Sequence, residues 1–208
     1  MTSFNDLIPS IAFRHSLPGR TGRLGVPIFL DFEGVLRTAH SEQSSGFSLA
    51  RNFIAPLTAA EALGLDPLLV IASTYRHQLS VSALAQLLES EAPGLGRFVV
   101  SATPVPSSMN LDREQRGAYY QAPRLYEVRT WLEHQGMLGS PWIAVDDSPS
   151  LYGPAVVPQL IVCDPLHGFD AERARVLLER LRTIVPSLPP APTRPLSPHS
   201  SSPDLRLE

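Results

Sequence analysis

Short apolar runs alternate with stretches of helical spacing along the middle of the chain. Val26 to Asp31 (VPIFLD) is an apolar run of a length suited to a buried strand. Pro56 to Leu63 opens a helix with proline at its first position, where the missing N–H would have no partner anyway. Pro67 to Ser73 (PLLVIAS) reads as a second strand ending in a hydroxyl. Val81, Leu84, Ala85, Leu87 and Leu88 then recur at helical spacing. Phe98 to Val100 is a short third strand. Leu125, Val128, Trp131 and Leu132 share one side of a helix over about residues 124–135, with Gly136 as its stop. Trp142 to Val145 and Leu160 to Cys163 supply a fourth and a fifth strand. Asp170 caps a last helix carrying Val176, Leu177, Leu181 and Ile184.

Continuously apolar strands separated by amphipathic helices are what a parallel sheet covered on both faces requires. The predicted class is α/β, a Rossmann-like three-layer sandwich around a mainly parallel sheet of about five strands. Residues 1–25 lack sustained periodicity and read as an N-terminal extension, and 26–186 as the domain. Residues 187–208 are crowded with Pro and Ser and are expected to be a disordered tail, having too little apolar surface to offset ordering entropy.

Composition adds three constraints. All 17 basic residues are arginine, so any cationic role falls to a guanidinium, which grips phosphate oxygens bidentately but cannot serve as a base. A net charge of −3 gives no electrostatic reason for non-specific nucleic-acid binding. The single cysteine, Cys163, cannot form an internal disulfide and fits a reducing compartment. With no apolar run of the roughly 20 residues that span a bilayer and no secretory pattern, a cytoplasmic protein without a membrane role is expected.

Ligands of parallel sheets bind at the carboxyl ends of strands, where this chain has Asp31, Ser73, Thr74 and Asp146. Ile28 to Leu36 (IFLDFEGVL) places Asp31 and Glu33 two apart at a strand end, before Gly34, where the backbone can turn. Close carboxylates repel, and a divalent cation such as Mg²⁺, which takes oxygen ligands, relieves the repulsion. Val145-Asp146-Asp147-Ser148-Pro149 again sets acids directly after an apolar run. Each segment alone fits a solvated turn, Asp-Ser-Pro being good turn chemistry. Together they can close a carboxylate cage around one cation.

The order of these segments resembles the haloacid dehalogenase (HAD) superfamily: a strand with DxxGVL, a strand ending in Ser/Thr, a basic residue opening a helix, and a strand ending in DD. Ile71 to Arg76 (IASTYR) and Arg124 to Leu132 (RLYEVRTWL) are similar to small bacterial HAD-domain proteins reading (S/T)(S/T)WR and RxxEIxxWL. Asp146-Asp147-Ser148-Pro149 with Leu151-Tyr152 also resembles the acidic motif of RNA polymerase C-terminal-domain phosphatases. The likeness spans Val26 to about Asp164.

The resemblance implies a Mg²⁺-dependent phosphatase of the capless type. Asp31 would be the nucleophile that forms an aspartyl-phosphate. Asp31, the backbone carbonyl of Glu33 and Asp146 would hold the metal, and Asp147 would bind it through water or orient Arg124. Ser73 or Thr74 would donate to a phosphoryl oxygen. Arg124 would stabilise phosphoryl charge, with Arg129 as a rival, and Arg76 would contact substrate phosphate or lie on the surface. One departure matters: Glu33 stands where these phosphatases carry an aspartic general acid and base. A misplacement on the order of 1 Å can cost ~10²-fold in rate, whereas a carbonyl ligand is indifferent to the side chain. Metal binding is therefore expected to be more secure than turnover.

The short stretch between Asp31 and Ser73 leaves no room for a large cap. An open site suits a bulky phosphorylated substrate, such as a nucleic-acid end or another macromolecule, and the similar bacterial group includes domains associated with RNA repair. The insertion from Ser101 to Pro123, with Tyr119 and Tyr120, would instead select smaller molecules if it covered the site. Two other readings stand beside this one. Asp-x-Glu also opens the DEDD 3′–5′ exonucleases, although His167 to Asp170 is spaced too closely for that family's last motif. The other is a HAD-like scaffold without catalysis, which Glu33 supports. Nothing in the sequence indicates an oligomeric state.

Overall fold

The computed structural model describes residues 23–39, 46–106, 111–154 and 157–185. One five-stranded sheet organises them: β1 (Leu24–Leu30), β2 (Leu65–Ile71), β3 (Val99–Ala102), β4 (Ile143–Asp146) and β5 (Leu160–Val162). The strand order is β3-β2-β1-β4-β5 and every neighbouring pair is parallel. Parallel neighbours require crossovers: α1 (Ile54–Ala62) lies between β1 and β2, α2 (Val81–Glu91) between β2 and β3, and α3 (Arg113–Gln121) with α4 (Pro123–His134) between β3 and β4, while α5 (Ala171–Ile184) follows β5. From β1 the chain winds outward to β3, then returns to the other side of β1 with β4 and β5. The winding reverses between β1 and β4, the kind of place where α/β sheets open a binding crevice.

Side chains alternate across the central strand. Val26, Ile28 and Leu30 enter a core shared with Leu57 of α1, Leu84 and Leu88 of α2, and Leu177 and Leu181 of α5. Phe29 points the other way, into a smaller core with Val128, Trp131 and Leu132 of α4. There it meets the rings of Trp131 and Trp142 edge-on at 5.5 and 5.8 Å. Three layers result, as the apolar pattern requires.

The expected strands and helices are present with small shifts. β1 starts at Leu24, two residues inside the stretch read as an extension, and β3 starts at Val99 because a 3-10 turn takes Gly96–Phe98. Asp170 caps α5 by accepting from the Arg173 amide at 2.9 Å. The element the apolar pattern misses is α3, inside the 101–123 insertion. It buries no side chain, and its start is marked by a reciprocal pair, Asp112 on the Gln115 amide and Gln115 on the Asp112 amide. Residues 1–22 of the expected extension and the whole expected tail lie outside the described residues. Among the described residues, no helix is long and apolar enough to cross a membrane.

Candidate active site

β1 and β4 end side by side. Leu30 is in register with Val145, and the Asp31 amide donates to the Val145 carbonyl at 3.1 Å, so Asp31 stands next to Asp146. Asp146 is fully buried and is held from two sides. The Ser148 amide donates to its Oδ1 at 2.9 Å and the buried Tyr152 hydroxyl to its Oδ2 at 3.2 Å. Asp147 accepts from the Ser148 hydroxyl at 3.0 Å. Asp31, Asp146 and Asp147 each bring a carboxylate oxygen within 4.8 Å of the others.

Gly34 makes that convergence possible. Its φ of 66° lies in the left-handed region, and a Cβ there would overlap the Asp147 carboxylate. The turn expected at this glycine thus does more than reverse the chain. It makes room for the third acid.

Burial and mutual repulsion leave their mark on the acids. Asp31 is raised from 3.8 to about 7, chiefly by burial and then by the charge of Asp146, with Arg124 opposing. Asp146 is raised as well, again mainly by burial, and Arg124 again opposes. Four clustered carboxylates, those of Asp31, Asp146, Asp147 and Glu127, face two buried guanidinium groups, Arg124 and Arg76. A single divalent cation would restore neutrality, and an all-carboxylate donor set suits Mg²⁺. The residues present therefore fit the metal.

Arg124 lies in the first turn of α4. Its Nη2 comes to 3.7 Å from Asp31 Oδ1 and its Nε to 3.4 Å from Asp146 Oδ2. Its Nη1 donates to the Ala72 carbonyl and, at 3.0 Å, to Glu127 Oε2. Ser73 follows β2 at the same sheet edge, wholly buried, and its hydroxyl has no hydrogen-bond partner among the described residues. Thr74, the other hydroxyl considered, is exposed at the start of the 3-10 turn Thr74–His77.

Two expected site residues point elsewhere. Arg76 is neither on the surface nor aimed outward. It donates to the Ala72 and Ser73 carbonyls at 2.8 and 2.7 Å and pairs with Glu127 Oε1 at 2.8 Å. The Glu33 carboxylate is taken up by two other side chains. Arg37 grips both its oxygens, at 2.6 and 3.2 Å, and the Tyr75 hydroxyl donates to it at 3.1 Å. The reason is local: the chain curls after Asp31, bridging Glu33 to Arg37 four residues on. Asp170, the last acid of the exonuclease pattern, serves as a helix cap, and His167 pairs with Asp164 at 3.0 Å on the exposed surface.

Four residues around the site went unassigned in the sequence: Glu127, Tyr152, Arg37 and Tyr75. The spacing of Arg124 and Glu127, one helical turn apart, was an available signal for the first of them.

A family model described as the HAD domain in Swiss Army Knife RNA repair proteins matches residues 27–174. No curated protein and no solved structure matches the chain. The matched span takes in nearly all of the sheet, both acidic turns and Arg124, and the chain belongs to this family of HAD domains.

Proposed function

We propose that this chain is a Mg²⁺-dependent phosphohydrolase that removes a phosphate from a polynucleotide end through an aspartyl-phosphate on Asp31. The observation that carries this reading is the meeting of Asp31, Asp146 and Asp147 with Arg124 at the switch point of the sheet.

Asp31 attacks phosphorus, and the bond from phosphorus to the ester oxygen breaks. Arg124 and the Ser73 hydroxyl donate to the phosphoryl oxygens as negative charge gathers on them. The departing oxygen takes its proton from the Glu33 carboxylic acid. Glu33, now a carboxylate, then removes a proton from water as that water attacks phosphorus. The bond to Asp31 breaks, returning the free carboxylate and inorganic phosphate. Asp31, Asp146, the Glu33 carbonyl and Asp147 would hold Mg²⁺, which would supply the positive charge that lets a phosphate dianion approach a carboxylate.

For these proton transfers Glu33 must leave Arg37. Its side chain is 47% exposed, and an exposed ion pair of this kind holds only about 0.2–1 kcal/mol. The resting pair is a weak restraint, but it is the feature that favours slow turnover. Polynucleotide phosphate as substrate is supported by the family's description and by the short connection between β1 and β2, in which the described residues hold a 3-10 turn (Ser48–Phe53) and α1.

The test is phosphate release from 5′- and 3′-phosphorylated oligoribonucleotides and from an aryl phosphate, with Mg²⁺ and with EDTA, for wild type and Asp31→Asn. Mg²⁺-dependent release by wild type alone is expected. No release from any substrate would favour the scaffold reading, and stepwise shortening from the 3′ end would favour the exonuclease.

A further inference from the structure

Arg124 is held from behind. Its close contacts, to the Ala72 carbonyl and to Glu127, both use Nη1. Toward the acids it offers Nη2 and Nε at 3.7 and 3.4 Å, longer than an N–H···O bond, and Nε has no hydrogen-bond partner among the described residues. A guanidinium anchored at one corner with donors left over at the other two is suited to receive an oxygen arriving between it and the acids.

The anchor is a chain of charges. Glu127 bridges Arg124 with one carboxylate oxygen and Arg76 with the other, and the side chains of Arg76 and Glu127 are 4% and 7% exposed. Arg76 also donates to the carbonyls of Ala72 and Ser73. The Ala72 carbonyl accepts from both arginines. The loop carrying Ser73 and the helix carrying Arg124 are thereby fastened together through three side chains.

Charge alone does not account for this arrangement. Asp31, Asp146 and Asp147 already outnumber Arg124, and the Arg76–Glu127 pair adds no net charge. A buried ion pair is also weak evidence for stability, since apolar residues of similar size often serve as well. What the pair contributes is direction. We infer that Glu127 and Arg76 are positioning residues, a buried clamp that fixes the Arg124 guanidinium and the Ser73 loop against the Asp31 nucleophile. This inference rests on the phosphohydrolase reading above.

Removing one partner alone would strand a buried charge and could unfold the protein. The informative variant is therefore the double replacement Arg76→Met with Glu127→Met, made in the full chain beside Glu127→Gln and wild type. Two measurements are needed. The first is steady-state hydrolysis of an aryl phosphate in Mg²⁺ together with the melting temperature. The second is the ¹⁵N spectrum of the Arg124 guanidinium, assigned with Arg124→Lys, in which an anchored group shows separate Nη1 and Nη2 signals and a freely rotating one shows their average.

We expect the double variant to melt near wild type, to lose about 10²-fold in kcat, and to average its Arg124 signals. Wild-type kcat with separate Nη signals in that variant would overturn the clamp. Inactivity of wild type toward every phosphate would instead count against the phosphohydrolase reading. The guanidinium spectra would still decide whether Glu127 and Arg76 anchor Arg124, because they require no turnover.

Discussion

Gly34 lies against the carboxylate of Asp147 with no space between them for a side chain. Alanine at this position meets two penalties, the left-handed backbone at φ 66° and the overlap with Asp147. The backbone part alone is about 1–2 kcal/mol. Since the cheapest escape is for Asp147 to move, Gly34→Ala should weaken Mg²⁺ binding at least tenfold while the fold survives. Calorimetric titration with Mg²⁺ checks this, and unchanged affinity would mean that Asp147 has no part in the cation site.

The raised carboxyl of Asp31 has a consequence for pH. Its folded value of about 7 lies above the ordinary 3.8, so between those values the folded protein holds more protons than the unfolded chain. Stability from this group is complete below about pH 4 and is lost as pH rises through 7. Under the proposed function, Mg²⁺ would compete with those protons. The rise in melting temperature on replacing EDTA with Mg²⁺ should therefore be larger at pH 8 than at pH 5.5. Equal rises at both values would show that protons and metal do not share Asp31.

Asp31→Asn should separate chemistry from stability. Turnover should fall by about 10³-fold or more, as when a nucleophile is removed. In EDTA the variant should melt higher than wild type, because one of the crowded, desolvated charges is gone. Melting curves in EDTA and initial rates in Mg²⁺ test the two halves separately.

Much of this site was legible because strand ends announce themselves. Apolar runs such as IFLD and IAVD stop at acids, and their order along the chain set Asp31, Ser73, Arg124 and Asp146 at one edge of a parallel sheet. What stayed hidden depends on pairing between distant charges. Arg76 stood between a substrate contact and a surface residue and Glu127 had no role, because charged side chains are almost never fully buried unless paired, and nothing local shows that α4 will deliver Glu127 to the loop after β2. The resting partners of Glu33 stayed hidden for a similar reason. Alternation in an extended strand places it beside Asp31, but β1 ends at Leu30, and Arg37 and Tyr75 then decide where the carboxylate goes. Helix α3 escaped because it is mostly polar, lacks aliphatic residues larger than alanine and buries no side chain. Its only mark was Asp112 followed three residues later by Gln115.

The Glu33 pairing yields a prediction of its own. Aspartate at this position is too short to keep both bonds to Arg37, and it restores the proton donor to its usual reach. Glu33→Asp should raise kcat several-fold and leave the melting temperature nearly unchanged, since the lost pair is exposed. A fall in kcat would show that the glutamate is already well placed from its resting position.

A core contact ties the site to overall stability. Phe169 stacks on Phe53 with ring centres 3.7 Å apart, and its amide donates to the Val35 carbonyl in the turn after Asp31. Phe169→Ala should cost about 3–5 kcal/mol, measurable by denaturant unfolding. A loss below 1 kcal/mol would mean that the two loops are not braced by this stack.

The most direct measurement is to trap the phosphorylated protein. Wild type and Glu33→Gln, which lacks the base needed for the second step, are mixed in Mg²⁺ with an aryl phosphate, whose good leaving group departs without a proton from Glu33, then quenched in acid and reduced with borohydride. Peptide mass spectrometry then looks for homoserine in place of Asp31. Homoserine at position 31 that requires Mg²⁺ and accumulates in Glu33→Gln is the expected result. Phosphate release by wild type with no modification of Asp31 in either protein at any quench time would contradict nucleophilic attack by this carboxylate.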